Sequence, residues 1–162
     1  MRRYQRPVLS LLVRLTRDQA LAEELAQDTF VKAFRSLAAF DTTRRLSSWL
    51  FRIAHNTGLD ALRRAKAARA QPSVGTGEPP ADVAAPAQPD PVERQALGAA
   101  LEAAMERLRP EQRTAMMLRY EEGLAFEDIA RVLGVPEATA RSHVHRARKE
   151  LARILSEAGW TA

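Results

Sequence analysis

Apolar positions along the chain recur at three- and four-residue intervals, and no run rich in Val, Ile and Thr alternates with polar residues. That period belongs to helices, so the pattern predicts an all-α protein with no sheet. Three helices are expected early, over about Tyr4–Arg14, Asp18–Ala38 and Ser47–Lys66, with Ser47 or Ser48 as N-cap of the third. Four more are expected over about Glu93–Leu108, Pro110–Glu122, Phe126–Leu133 and Pro136–Ser156. Gly123 and Gly134 are natural C-terminal stops, and Pro110 and Pro136 natural first-turn residues. The segment from Ala70 to Pro91, AQPSVGTGEPPADVAAPAQPDP, holds most of the prolines and no aromatic residue. Such a composition cannot bury enough apolar surface to fold and reads as a flexible, partly extended linker. The expected organisation is therefore two small helical domains, residues 1–69 and 93–162, each making its own core, joined by a linker over 70–92.

The last helix carries the sharpest pattern. Ala140, Val144, Ala147, Leu151, Ile154 and Leu155 fall in one arc of roughly 100°, a core-facing stripe. The remaining arc holds Thr139, Arg141, Ser142, His143, His145, Arg146, Arg148 and Lys149, with only Glu150 acidic. A solvated face usually mixes signs to gain pairs one turn apart, whereas this one is single-signed. The helix before it is short, and only Gly134–Val135 separates the two, which is the helix-turn-helix arrangement. That arrangement is shared by many helical hairpins, so a plain solvated face remains the competing reading. A metal site is excluded on spacing: His143 and His145 lie two residues apart and point about 200° away from each other on a helix.

Two strips in the first block are open to more than one reading. Ala22, Ala26, Phe30, Ala33, Phe34 and Leu37 form a broad core stripe on the second helix. A different arc holds Glu24, Gln27, Asp28, Val31 and Arg35, which suits either plain solvent or a docked partner. The third helix supplies apolar area from Trp49, Leu50, Phe51, Ile53, Ala54, Leu59 and Leu62, with Arg52, Asn56 and Arg63 on a narrow polar strip beside Asp60. Arginine, asparagine and a tryptophan can hold phosphates, bond base edges and abut an unstacked base. Trp49 as a core residue is the equal alternative.

Composition narrows the classes. The net charge of +5 favours an anionic partner, nucleic acid or a membrane surface. Nearly all the cations are arginine, which suits phosphate and guanine but also follows from GC-rich coding. The absence of cysteine excludes disulfides, cysteine-ligated zinc, iron–sulfur clusters and a thiol nucleophile. The longest apolar run, Val8–Val13 with Ser10 inside it, is too short to span a bilayer, and no signal peptide precedes it, so a cytoplasmic protein is expected. No catalytic or metal-binding constellation is present, and a nucleic-acid enzyme is disfavoured for that reason.

The stretches AEELAQDTFVKAF (Ala22–Phe34), WLFRIAHNTGLDALRR (Trp49–Arg64) and LRPEQRTAMMLRYEEGLAFEDIARVLGVPEATARSHVHRARKEL (Leu108–Leu151) together resemble the bacterial RNA polymerase sigma factors. They are most similar to the extracytoplasmic-function group, which keeps only regions 2 and 4. The resemblance covers both blocks and leaves out the linker. It implies docking of Glu24, Gln27, Asp28 and Val31 on the β′ clamp helices of core polymerase, and a further contact of the second block with the β flap. It implies melting and capture of the −10 element by the loop Asp41–Ser48 with Trp49, Arg52, Asn56 and Arg63. It implies reading of the −35 element by Thr139, Arg141, Ser142, His143, His145, Arg146 and Arg148. Partners would be core polymerase, promoter DNA and an anti-sigma factor, with no cofactor and no enzymatic activity.

The chain departs from the family in three places. Fewer residues precede Tyr4–Leu15 than region 2 usually has, which leaves open either a clipped first helix or a misassigned start codon. Gly58 sits inside a helix, where it costs about 1 kcal/mol relative to Ala. ATARSH (Ala138–His143) stands where GTVRSR is common, and a histidine in place of that arginine removes a bidentate guanine contact. A DNA-binding regulator that needs no polymerase, and a sigma mimic that titrates an anti-sigma factor, are the rival readings.

Overall fold

The computed structural model describes residues 2–69 and 91–160, and the 70–90 part of the expected linker lies outside the described residues. Its elements are α1 (Arg2–Thr16), α2 (Gln19–Ser36), a 3₁₀ turn (Leu37–Ala39), α3 (Leu46–Arg69), α4 (Pro91–Glu106), α5 (Pro110–Tyr120), α6 (Phe126–Leu133) and α7 (Glu137–Glu157). Every regular element among the described residues is helical, as the apolar period predicts. Helix α4 begins two residues ahead of the expected start and takes in Pro91 and Val92, because proline is at home in a first turn.

Local chemistry explains most of the boundaries. Asp18 caps α2: its backbone is extended, and its Oδ1 accepts the Leu21 N–H at 3.0 Å. Pro110 opens α5, and the Gln112 side chain accepts the Arg109 N–H at 3.1 Å. Gly134 ends α6 in the left-handed region (φ 67°), and the Gly134 and Val135 N–H groups both donate to Ala130 O. The expected N-cap at Ser47 or Ser48 is not made. The third helix starts at Leu46, inside which the Ser48 hydroxyl donates to Arg45 O at 2.9 Å.

The first block packs α1, α2 and α3 against one another, and the second packs α5, α6 and α7 with α4 lying on α7. Gly58 permits the close approach of α1: a Cβ there would lie 2.9 Å from Leu15 Cδ1 and 3.2 Å from Leu12 Cδ2. Its helix-propensity cost is thus offset by packing. The blocks do not keep separate cores. One apolar cluster runs from Val8, Leu11, Leu12 and Phe51 through Met117, Leu118 and Ile129 to Val144. A smaller cluster (Ala104, Met105, Leu108, Ala147, Leu151 and Ile154) belongs to the second block alone. Domains this small gain stability by sharing buried surface, and α3 against α6 provides it here.

The second helix also departs from expectation. Its buried stripe is Ala22, Leu25, Thr29 and Ala33. Phe34 is 64% exposed and Leu37 43% exposed, so neither is core. Phe34 follows Ala33 by one residue and is turned about 100° out of the stripe that α1 and α3 cover.

Candidate nucleic-acid interface

Three exposed faces, on α7, α3 and α2, are built on helices whose opposite sides are buried. On α7, Ala140, Val144, Ala147, Leu151 and Ile154 are all buried. Arg141, His145, Arg146 and Arg148 are exposed on the other side, with Thr139, Ser142 and His143 partly covered. Arg141, Ser142, His145 and Arg146 line a shallow hollow. The face is less uniformly basic than the sequence suggests. Arg141 Nη2 pairs with Glu137 Oε1 at 2.5 Å, and its guanidinium lies 4.6 Å from the centre of the Phe126 ring. Arg119 lies over the same ring at 4.6 Å and donates to Leu124 O at 2.9 Å. Phe126 thus joins α5, α6 and the start of α7, and Arg141 serves partly as a packing group. Arg153 is held between Glu150 and Glu157 further along. The uncompensated cations are those in between: Arg146, Arg148 and Lys149 make no ion pair among the described residues.

On α3, Arg52, Asn56 and Arg63 are exposed along one strip, with Arg63 Nη1 paired to Asp60 at 3.2 Å. Trp49 is only partly exposed. Its ring lies 4.9 Å from that of Phe40 at 49°, and it packs against the main apolar cluster. One side of Trp49 is thus core and the rest borders the strip. The preceding loop is organised by Asp41. Its Oδ1 accepts from the Thr43 amide at 3.0 Å and hydroxyl at 2.6 Å, and its Oδ2 from Arg44 Nε at 3.1 Å. The Thr43 hydroxyl first, then the Thr43 amide, hold the Asp41 carboxyl below its ordinary value. The loop thus presents its threonines and arginines from a fixed turn.

On α2, Glu24 and Gln27 are exposed, and Asp28 pairs with Lys32 at 2.7 Å. Lys32 Nζ also donates to Thr57 Oγ1 of α3 at 3.2 Å, which ties this face to the strip-bearing helix. Val31 is exposed, and Phe34 stands one turn beyond it on the helix surface. With Leu37, also exposed one turn further on, Val31 and Phe34 form a small apolar patch at the C-terminal end of the polar strip. Sequence periodicity assigned Phe34 to the core; an i+3 or i+4 match to the polar strip would have found it.

An all-α chain that pairs a helix-turn-helix with a second helical block bearing an Arg/Asn strip is, as a class, a DNA-reading protein. The Sigma-70 region 2 family matches residues 1–68, and the Sigma-70 region 4 family matches residues 98–151. The chain is 39% identical over 155 residues to the ECF RNA polymerase sigma factor SigM of Mycobacterium tuberculosis, covering 95% of this chain and 74% of that one. It is 37% identical over 150 residues to the RNA polymerase sigma factor CarQ of Myxococcus xanthus, covering 93% and 83%. Among solved structures it is similar to the sigma factor RpoE of Bartonella quintana, crystallised with the anti-sigma factor NepR. The TM-score there is 0.76 at 27% identity, over 94% of this chain and 91% of that one. The chain belongs to the RNA polymerase sigma factors, in the extracytoplasmic-function group.

Proposed function

We propose that this chain binds core RNA polymerase and directs it to a dedicated set of promoters, each block serving a separate contact. The face of Glu24, Gln27, Asp28 and Val31, extended by Phe34 at its C-terminal edge, docks on the β′ clamp helices, and the second block meets the β flap. The strip of Trp49, Arg52, Asn56 and Arg63, with the Asp41 turn, captures the −10 element. Thr139, Arg141, Ser142, His143, His145, Arg146 and Arg148 meet the −35 element. The observation that carries the reading is the pair of exposed polar faces on α3 and α7, each backed by core. The chain supplies selection and melting, the polymerase supplies the phosphoryl chemistry, and no catalytic role falls to this subunit. No helix among the described residues is long and apolar enough to cross a membrane. The site of action is the cytoplasm, and an anti-sigma factor is the expected regulator.

Geometry adds a condition. The −10 and −35 elements lie about 25 base pairs apart, some 85 Å along B-DNA at ~3.4 Å per pair. A compact chain of this length has a radius of gyration of ~15 Å and a diameter of roughly 40 Å. Both elements are therefore engaged together only after the blocks separate.

In vitro transcription with heterologous core polymerase and a promoter from the protein's own upstream region tests the reading. Core-dependent initiation is expected, and no core binding with no initiation would sink it. The double change Glu24→Lys and Gln27→Ala should weaken core binding and leave the circular dichroism of the chain unchanged. Loss of folding together with binding would make the face structural.

A further inference from the structure

The blocks meet along a seam that is polar at its edges and carries a buried polar pair within. At the α1 edge, Arg14 pairs with Glu121 at 2.8 Å and reaches Glu102 at 3.7 Å, and Arg17 approaches Glu106 at 3.9 Å. Arg17 holds a left-handed backbone (φ 58°) that a side chain rarely adopts, and its guanidinium donates to Glu106 O. Arg113 of α5 is buried and donates to Arg14 O at 2.6 Å and to Leu108 O at 2.9 Å. Arg45 of the capture loop lies 3.8 Å from Asp128 of α6.

Inside the seam, His55 of α3 is 1% exposed and its Nδ1 lies 3.1 Å from Thr114 Oγ1 of α5. Its Nε2 is buried without a hydrogen-bond partner among the described residues. A neutral ring tolerates this with Nδ1–H donating to Thr114 and Nε2 as an unused acceptor. A protonated ring would carry a second N–H aimed at nothing, which costs far more than an idle acceptor.

We propose that the seam is a proton-sensitive latch: neutral His55 holds the blocks together, and protonation of His55 drives them apart. The charges around it do not rescue the imidazolium. Glu111 of α5 favours it, Arg63 on its own helix opposes it, and burial outweighs both. Asp128 of α6 is already engaged by Arg131 and Arg45, Lys32 of α2 by Asp28, and Arg14 of α1 and Arg17 just past its end by glutamates. Burial lowers His55 from 6.5 to about 4. A lowered histidine stabilises the closed seam fully above about pH 6.5 and loses that contribution as the pH falls toward 4. The latch itself rests only on the seam; its consequence for promoter use rests on the reading above.

The chain has no cysteine, so Ala20→Cys in α2 and Ala152→Cys in α7, both exposed, accept a donor–acceptor dye pair. Urea titrations then follow block separation by energy transfer and helix content by circular dichroism. The dyes should separate before the helices melt, and the opening equilibrium should shift roughly tenfold toward open between about pH 7.5 and about pH 5.5. His55→Gln, which takes up no proton, should abolish the shift. Thr114→Val keeps the titrating ring and should open more easily at both pH values while keeping the shift. Separation only upon melting, an equilibrium that ignores pH, or an equal shift in His55→Gln each overturns the latch. So does a His55 ring that titrates by NMR near 6.5 in the intact chain, a readout that needs no variant. No polymerase is involved, so this test and the transcription test fail independently.

Discussion

Helices α3 and α7 are built on one plan, a polar strip over an apolar back, but they are held differently. Helix α7 buries a single stripe and leaves the rest of its surface to water. Helix α3 is walled by α2 through Lys32–Thr57, by α1 at Gly58, and by α5 and α6 across the seam. Its free strip is correspondingly narrow. A narrow strip on a fully supported helix fits the capture of single bases, where small displacements of a pocket matter. A broad basic face fits duplex DNA, where phosphate contacts set register and tolerate small adjustments. The difference also locates stability, since α3 anchors the cluster shared by both blocks and α7 anchors the smaller one as well.

The largest expected effect follows from that location. Phe51→Ala removes a fully buried ring from the shared cluster and should cost about 3–5 kcal/mol. It should loosen both blocks together. Leu151→Ala lies in the smaller cluster and should cost about 2–4 kcal/mol, mainly in the second block. The two tryptophans, Trp49 in the first block and Trp160 in the second, report the blocks separately when each is kept in turn by changing the other to Phe. Urea unfolding of these single-tryptophan chains decides the matter. Loss confined to the first block in Phe51→Ala would mean that the shared cluster does not couple the blocks.

Sequence pattern reveals the helices more readily than their surroundings. Pro110, Gly134 and the 3.6-residue apolar period mark boundaries because those signals act within a few residues. Ser48 misled as a cap because the loop before it, tied by Asp41, lets the helix start at Leu46. The exposure of Phe34 depends on how much of α2 its neighbours cover, which period alone does not record. His55 and Thr114 stand 59 positions apart, and no local pattern links them. Among the α7 side chains, Arg141 reads as equal to Arg146 in sequence, and only the structure separates them, through Glu137 and Phe126.

Phe34→Ala probes a surface outside both strips. An exposed aromatic that a partner covers typically contributes about 2 kcal/mol to binding, while removing it from a solvent-exposed site changes folding by less than about 0.5 kcal/mol. Affinity for core polymerase, measured by fluorescence anisotropy, should therefore fall roughly thirtyfold with no change in the urea midpoint. A shifted midpoint with unchanged affinity would return Phe34 to a structural role.

The smallest expected effects lie within α7 itself, and they separate two arginines of the same face. Arg146 is exposed and makes no ion pair among the described residues, so a phosphate contact would add its full charge to the DNA. Arg146→Ala should lower affinity for −35 duplex by about 1 kcal/mol and reduce the salt slope by about one counterion. Arg141 already shares its charge with Glu137 and its flat surface with Phe126. Contact with DNA would exchange these partners, so the net gain is smaller. Arg141→Ala should lower affinity by less than Arg146→Ala and change the salt slope by less than one. Its distinctive effect should be structural, a modest loss of stability as the Arg119–Phe126–Arg141 stack loses one member, at the ~0.5–1 kcal/mol of an exposed cation–π contact. Equal salt slopes for the two variants would show that Glu137 releases Arg141 on binding, and the two arginines would then act as one phosphate-holding pair.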